Sequence, residues 1–99
     1  MSKKIRLIHP GEHLREILDE LGVSQYRFAR VCKIPASAIC SICAGKRSIT
    51  AGTAIRIARA LNMTPQFWMN FQARYDYELT MNTINKADLE EITPLVPAA

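Results

Sequence analysis

Two cysteines stand three residues apart, a spacing typical of thiol redox motifs and of structural zinc sites. They are Cys40 and Cys43, and the third cysteine of the chain is Cys32. A structural zinc ion takes four ligands, and a thioredoxin-like pair accompanies a βαβ unit. The sequence contains neither a second pair nor such a unit, so we interpret Cys32 and Cys43 as small buried hydrophobic residues. A redox- or metal-responsive role for Cys40 and Cys43 is the alternative.

The two histidines are the other candidates for metal or acid–base chemistry. His9 and His13 are four residues apart, a spacing that can place two metal ligands on one face of a helix. His9 precedes Pro10, however, and so lies before the helix, and no catalytic glutamate stands in the required register. We interpret both histidines as capping or surface residues. No nucleophile, base and oxyanion donor are arranged for catalysis, so the sequence predicts no enzyme, metal site or cofactor.

Another group of residues has the chemistry of DNA recognition. Two short helices joined by a tight turn read DNA when the second helix fits the major groove. The segment from Ser24 to Lys46 has this pattern, with Ala29 as the small residue where the helices cross. The apolar residues that lock both helices onto the rest of the domain are Phe28, Cys32, Ile34, Ile39 and Ile42.

The outer face of the second of these helices carries short side chains, which let a helix approach base edges closely. Such residues touch thymine methyl groups or make single hydrogen bonds. We predict base contacts for Ala36, Ser37, Cys40 and Ser41. Phosphates on either side of the groove would lie where longer side chains bracket the unit, at Gln25, Arg27, Lys46 and Arg47. The alternative is an ordinary helical hairpin in a bundle.

Charge is distributed unevenly along the chain. The net charge of +4 is the sum of +7 over residues 1–60, with eleven Lys and Arg against four acids, and −3 over residues 61–99, with two against five. A basic part suits a polyanion, whereas an acidic end is repelled by one. Charge alone does not distinguish this interpretation from solvated helix faces with a chance imbalance.

Five short helices and a weaker sixth are predicted to position these residues. The first begins at His9-Pro10 and ends at Gly22, because glycine takes the left-handed cap without steric cost. Its buried stripe is Leu14, Ile17, Leu18 and Leu21. Ser24 caps the second helix, and Pro35 stands at the start of a third that runs to about Ala44.

The second half of the chain continues the helical pattern. Thr50 caps a fourth helix, which we expect to bury Ala51, Ala54, Ile55, Ala58 and Leu61. Thr64-Pro65 opens a fifth and longer helix. Residues 86–92 are predicted to form one weak helical turn, and residues 93–99 a frayed tail.

The length of 99 residues fits one domain. We divide it into residues 1–82, with the reading unit at about 24–46, and an acidic, partly frayed extension at 83–99. No apolar stretch approaches the roughly 20 residues of a membrane span, and no long apolar run follows the basic start. An odd number of cysteines is unlike a disulfide framework, so a cytoplasmic protein with reduced thiols and no membrane contact is expected.

Several motifs recur together in one known family. They are His9-Pro10-Gly11-Glu12, Ser24-Gln25, Phe28-Ala29, Gly45-Lys46-Arg47, Ala58-Arg59-Ala60-Leu61, Thr64-Pro65-Gln66-Phe67-Trp68-Met69-Asn70-Phe71-Gln72 and Tyr75-Asp76. From about residue 7 to residue 79, the chain resembles the HigA/VapI antitoxins of the phage-repressor-like (XRE) helix-turn-helix group. The resemblance implies an all-α, five-helix phage-repressor-like domain, here with a C-terminal helical extension.

The same resemblance implies a function in a toxin–antitoxin system. A dimer of such a protein binds double-stranded operator DNA and represses the shared operon, and the antitoxin blocks a HigB-like toxin, a small basic RelE-like ribonuclease. A stand-alone phage-type repressor without a toxin partner is the alternative. The chain departs from the family pattern at Lys33, where the turn usually has glycine, and at Ala36 and Ser41, where longer polar residues are common.

Two further surfaces are predicted for protein partners. Trp68, Phe71, Tyr75 and Leu79 fall on one stripe of the fifth helix, which we predict as a homodimer interface. Simple core packing is the alternative and is favoured for Trp68 and Phe71, whereas Tyr75, Tyr77 and Leu79 extend beyond what a bundle of this size covers. The acidic residues Asp88, Glu90 and Glu91 are predicted to bind the basic toxin. A competing acidic surface on the first helix consists of Glu12, Glu16, Asp19 and Glu20.

Overall fold

The computed structural model describes residues 6–98, in which six helices and no strand are found. The helices are α1 (Pro10–Leu21), α2 (Gln25–Cys32), α3 (Ala36–Cys43), α4 (Ala51–Leu61), α5 (Pro65–Thr83) and α6 (Lys86–Glu91). The first five pack around one core, and α6 packs against none of the other helices. The predicted all-α fold of five helices with a helical extension is confirmed. Lys3 and Lys4 of the basic first part lie outside the described residues.

The start of α1 is fixed by a reciprocal cap. His9 Nδ1 accepts the backbone N–H of Gly11 at 2.9 Å, and the Glu12 carboxylate accepts the N–H of His9 at 3.3 Å. Burial lowers the pKa of His9, and the nearby Asp76 and Glu12 carboxylates oppose that shift. The cap requires the neutral ring as acceptor, which agrees with the predicted capping role of His9.

Burial along α1 follows the predicted stripe except at its end. Leu14 and Leu18 are buried and Ile17 is half-buried, whereas Leu21 is 59% exposed. The prediction for Leu21 is therefore wrong. The helix ends at Leu21, since Gly22 follows in the left-handed conformation at φ 68°, and burial along the stripe stops at Leu18.

The α4 stripe also differs from the predicted one. Ala54, Ile57 and Ala58 are buried, whereas Ala51 and Ile55 are exposed. The stripe continues to half-buried Leu61, so it occupies positions i, i+3, i+4 and i+7 counted from Ala54 rather than from Ala51. This rotation brings Ile57 into the core and leaves Ile55 on the flank of the helix.

The core centres on Trp68 of α5, whose side chain is fully buried. It packs with the apolar residues of α1 to α4, and its ring lies 5.8 Å from that of His13. Trp68 cannot contribute to a dimer surface, so that part of the predicted interface is wrong. Tryptophan has the largest side chain of any residue and fills the space between four short helices. Trp68 is therefore buried in the core rather than exposed on the surface of α5.

The backbones of α1 and α3 approach each other closely at Gly11. A Cβ atom added there would lie 1.7 Å from the carbonyl oxygen of Ile42. No side chain fits at this position without moving α3. Glycine therefore allows the close approach, and the position of α3 depends on it.

We predict that Gly11→Ala lowers the free energy of unfolding by about 3 kcal/mol or more, because the methyl group would overlap a backbone carbonyl that has no freedom to rotate away. Gly52→Ala in the first turn of α4 is the matched control, since a Cβ there meets no atom within 4 Å. It should change stability by less than about 1 kcal/mol. Urea denaturation of both variants provides the measurement, and equal stabilities would contradict this account of the α1–α3 contact.

Candidate nucleic-acid interface

The α2 helix presents its first turn at one edge of the candidate interface. The Ser24 side chain caps α2 by accepting the N–H of Arg27 at 3.0 Å. Arg27 is exposed and Gln25 is half-buried. The opposite side of α2 is anchored in the core by Phe28, Ala29 and Cys32. Both predicted phosphate ligands on this helix are thus held close to a rigid N-terminus.

The α3 helix has one buried and one open face. Ala38, Ile39, Ile42 and Cys43 are buried. Ser37 and Cys40 are exposed, and Ala36 and Ser41 are half-buried. The structure therefore brings Ser37, Cys40 and half-buried Ser41 onto the outer face of one helix, whereas Ala36 packs partly against the core.

The three thiols have different surroundings. Cys32 and Cys43 are buried, which confirms their interpretation as small core residues, and Cys40 is exposed. Burial raises the pKa of Cys32 and of Cys43 to about 11. These two thiols are inert near neutral pH, since the thiolate is the reactive form.

A side chain of α4 is hydrogen-bonded to the turn between α2 and α3. Lys33 has φ 58°, so it takes the left-handed conformation that glycine adopts more readily. A left-handed residue other than glycine costs on the order of 1–2 kcal/mol. The Arg56 guanidinium donates to the carbonyl oxygens of Cys32 and Lys33 at 3.3 and 3.4 Å. Sequence reasoning missed Arg56, because nothing in its local pattern indicates a contact 23 residues away.

The loop after α3 is tied to α5. Gly45 is left-handed, and Lys46 and Arg47 follow it with exposed side chains. The loop then returns to the core at Ile49, whose N–H donates to Gln72 Oε1 at 2.8 Å. Gln72 is itself buried and donates from Nε2 to Asp76 at 2.9 Å. This anchor was also missed, although Gln72 stands four residues after Trp68 and hence on the buried face of α5.

The outer face of α5 contains the rest of the predicted dimer surface. Phe71 and Tyr75 are half-buried, and Leu79 is 42% exposed. Phe71 and Tyr75 line a mainly apolar groove of about 490 Å³ between α5 and residues 6–8. The His9 ring packs edge-on against Tyr75, with 4.9 Å between the ring centroids.

The acidic extension stands apart from the other helices. Asp88, Glu90 and Glu91 are exposed on α6, whose N-terminus is capped by the Asn85 side chain. Among the acids of α1, Glu12 is engaged with Arg6 and with the His9 cap. The other three predicted α1 acids are exposed: Glu16, Asp19 and Glu20.

The described part of the chain contains neither a cluster of metal ligands nor a membrane-spanning helix. Within residues 6–98, no group of three or more His, Cys, Asp and Glu side chains could hold a metal ion. His13, one of the two metal candidates in the sequence, packs instead between Phe67, Trp68 and Phe71. None of the helices in this range is long and apolar enough to cross a membrane.

Comparison with known proteins places this arrangement in a family. A helix-turn-helix family model matches residues 14–68, which contain most of α1, all of α2 to α4 and the start of α5. The virulence-associated protein I of Dichelobacter nodosus is 39% identical over 89% of this chain and 81% of its own length.

Solved structures agree in sequence and in shape. A HigA-family addiction module antidote protein from Coxiella burnetii is 41% identical, with a TM-score of 0.84 over 91% of this chain and 99% of its own. The antitoxin HigA of Pseudomonas aeruginosa, solved with the higBA promoter, is 39% identical, with a TM-score of 0.84 over 92% of this chain and all of its own. The chain therefore belongs to the helix-turn-helix family and, within it, to the HigA-like antitoxins that its motifs resemble.

Proposed function

We propose that this protein is an antitoxin that represses its own toxin–antitoxin operon by inserting α3 into the major groove of operator DNA. The observation that carries the proposal is the open face of α3, which is free of bulky and acidic side chains. Promoter DNA in the structure of the Pseudomonas relative supports it. The helices outside the helix-turn-helix hold this face in place through Gly11 of α1, Arg56 of α4 and Gln72 of α5.

Affinity and sequence preference are assigned to different residues. Gln25 and Arg27 at the start of α2, and Lys46 and Arg47 after α3, contact phosphates, because their long side chains flank the reading helix. Contacts of this kind position a protein on DNA and carry no sequence information.

The base-reading residues are Ala36, Ser37, Cys40 and Ser41. None of them is long enough for the bidentate contacts that Arg makes with guanine or Asn with adenine. The serine hydroxyls make single hydrogen bonds, and Ala36 and Cys40 meet thymine methyl groups. Such contacts require α3 to lie deep in the groove, which its short side chains permit.

The functional unit is a homodimer joined through the outer face of α5. Phe71 and Tyr75 line an apolar groove, and Leu79 continues the stripe one turn further. A twofold axis through this stripe would place two copies of α3 on an inverted repeat, with half-sites about one helical turn apart. One eight-residue reading helix offers few contacts, so pairing is needed for tight binding.

The acidic extension neutralises a basic RelE-like ribonuclease toxin. A ribonuclease presents a positive groove to RNA, and Asp88, Glu90 and Glu91 project from a short helix with no intramolecular partner helix. Complementary charge speeds association and selects the partner, while apolar anchors provide much of the affinity. Leu89 and Ile92 beside these acids are suited to that second role.

The DNA-binding mechanism predicts how affinity depends on salt and on sequence. Two duplexes are compared, the one upstream of the protein's own gene, taken as operator DNA, and one of random sequence. A dimer that neutralises about 4–6 phosphates should lose affinity with salt at a logarithmic slope of about −4 to −5. Lys46→Ala should weaken binding to both DNAs and flatten that slope by about 0.9 for each contact removed. Ser37→Ala and Ser41→Ala should each cost about 1–3 kcal/mol on operator DNA and less on random DNA.

Fluorescence anisotropy titrations provide these measurements, with Lys86→Ala as the matched control. Lys86 is an exposed cation on α6, outside the proposed DNA contacts and the α5 groove, so its loss should leave the salt slope unchanged. An affinity independent of salt would contradict the DNA-binding mechanism. Equal losses on the two DNAs for the serine variants would assign those hydroxyls to phosphates or to the fold.

Selective thiol modification tests whether the outer face of α3 meets DNA. Iodoacetamide near neutral pH should modify Cys40 first, because Cys32 and Cys43 are buried and their pKa is raised to about 11. A carbamidomethyl group on Cys40 would hold α3 away from the bases, so operator binding should be lost. Cys40→Ala protein should bind equally well before and after treatment. Unchanged binding by the modified protein would place another surface against the DNA.

The dimer is tested by a charge on the α5 stripe. Leu79→Glu should give a monomer at micromolar concentration and weaken operator binding, because two carboxylates would face each other across the interface. Ala73→Glu places the same charge on another face of α5 and should remain dimeric. Light scattering distinguishes the two states. A wild-type monomer that binds the operator as a single copy would exclude the dimer.

Toxin binding is tested with the product of the neighbouring gene, expected to be a small basic protein. Replacing Asp88, Glu90 and Glu91 with serine should slow association several-fold and weaken its salt dependence, because steering by charge is lost. Operator affinity should be retained. Surface plasmon resonance and an RNA cleavage assay measure association and inhibition.

The α1 acids provide the matched comparison for that experiment. A variant with serine at Glu16, Asp19 and Glu20 leaves the His9–Glu12 cap intact and should inhibit toxin normally. The contradictory outcome is a protein truncated after Asn85 that still inhibits the toxin, together with an α1 variant that does not. That result would assign toxin binding to α1 instead of the acidic extension. A neighbouring gene that encodes no such protein would favour a stand-alone repressor.

A further inference from the structure

One exposed surface is both basic and apolar, and Arg27 is the one proposed DNA contact that borders it. We define the α2–α4 surface by the apolar side chains Tyr26, Val31 and Ile55 and the basic side chains Arg30, Lys33 and Arg59. The three apolar residues are 63%, 60% and 56% exposed. Val31 joins two shallow grooves into one continuous surface.

The positive charge of this surface is uncompensated. No acidic residue lines either groove. The ion pairs found within residues 6–98 join Arg6 to Glu12, His13 to Glu16 and Arg74 to Glu78, so none involves the α2–α4 surface. Arg56 also lines one of the grooves and donates to two carbonyl groups, which adds a further cation to the surface.

A ligand that fits this surface combines carboxylates with apolar side chains. DNA phosphates would meet the cations but would leave Tyr26, Val31 and Ile55 exposed to water. A protein segment with alternating acidic and apolar residues satisfies both requirements, since apolar anchors provide affinity and complementary charges provide specificity.

The chain itself contains such a segment. Residues 86–96, here named the C-terminal segment, carry Asp88, Glu90 and Glu91 among apolar residues. Of the latter, Ile92 is 67%, Val96 74% and Leu95 100% exposed. The α6 helix within this segment packs against no other helix.

We propose that the α2–α4 surface of one molecule binds the C-terminal segment of a second copy. Intramolecular binding is disfavoured because α5 is a continuous helix of 19 residues that leads into α6, and α6 does not lie against α2 or α4. The contact is separate from the α5 dimer, and it uses the same segment that we assign to the toxin. Toxin and a second antitoxin molecule therefore compete for residues 86–96.

Charge reversal in trans tests this contact in the full-length protein without DNA or toxin. The first variant is Arg30→Glu with Arg59→Glu, and the second is Asp88→Lys with Glu90→Lys and Glu91→Lys. Each alone sets like charges against each other and should weaken the salt-sensitive association beyond the dimer by about ten-fold or more. A mixture of the two variants restores opposite charges in both directions and should restore association. Sedimentation velocity at low salt measures the species, and circular dichroism verifies that both variants fold.

Two controls separate a specific contact from general attraction between acidic and basic proteins. The variant Glu16→Lys with Asp19→Lys and Glu20→Lys has the same net charge as the second variant. It should associate with the first in one direction only, through its intact α2–α4 surface, and therefore more weakly than the second variant does. Val31→Ser with Ile55→Ser should weaken wild-type association without changing the net charge.

Three outcomes would overturn the proposal. In the first, each reversed variant sediments like wild type. In the second, the mixture of the two variants does not associate. In the third, the first variant associates with the α1 control as strongly as it does with the second variant. If Arg30→Glu with Arg59→Glu lowered only DNA affinity, the surface would be a phosphate contact. A wild-type protein that does not bind operator DNA would contradict the proposed function. The association test would be unaffected, because it contains no DNA.

Discussion

The contact between the backbones of Gly11 and Ile42 fixes where the reading helix lies. Because an added Cβ would meet the Ile42 carbonyl oxygen at 1.7 Å, α1 approaches α3 more closely than any residue but glycine allows. The His9 cap directs the start of α1 towards this point. The outer face of α3 is set in turn, since a helix whose buried side touches backbone has no room to rotate or shift.

Long-range side-chain bonds extend that constraint to both ends of the reading unit. Arg56 holds the strained turn before α3, and Gln72 holds the loop after it. The α4 and α5 helices thus fix the position of α3, although neither is among the proposed DNA contacts. A left-handed Lys33 is tolerated because its carbonyl oxygen and that of Cys32 have a charged donor.

Helix boundaries and caps were predicted well because they depend on local chemistry. Ser24, Thr50 and Gly22 act where the sequence placed them, and the outward residues of α3 share one face. The failures have a common origin in tertiary packing. Whether Trp68 lies inside or between molecules, and which flank Ile55 faces, depends on how neighbouring helices rotate. Arg56 was missed because a partner 23 residues away leaves no periodic signal. The spacing from Trp68 places Gln72 on the buried face of α5 but does not indicate Ile49 as its partner.

The eight residues of α3 include no ionisable side chain other than two thiols, whereas the cations stand before and after it. In the mechanism that we propose, non-specific attraction to DNA and discrimination between sequences therefore depend on separate positions. Under that mechanism, exchange of a few short side chains on α3 would redirect the protein to another operator without altering its general affinity for DNA. Duplicated copies of such a gene in one genome can therefore diverge in target by very few substitutions and regulate their own operons without cross-talk.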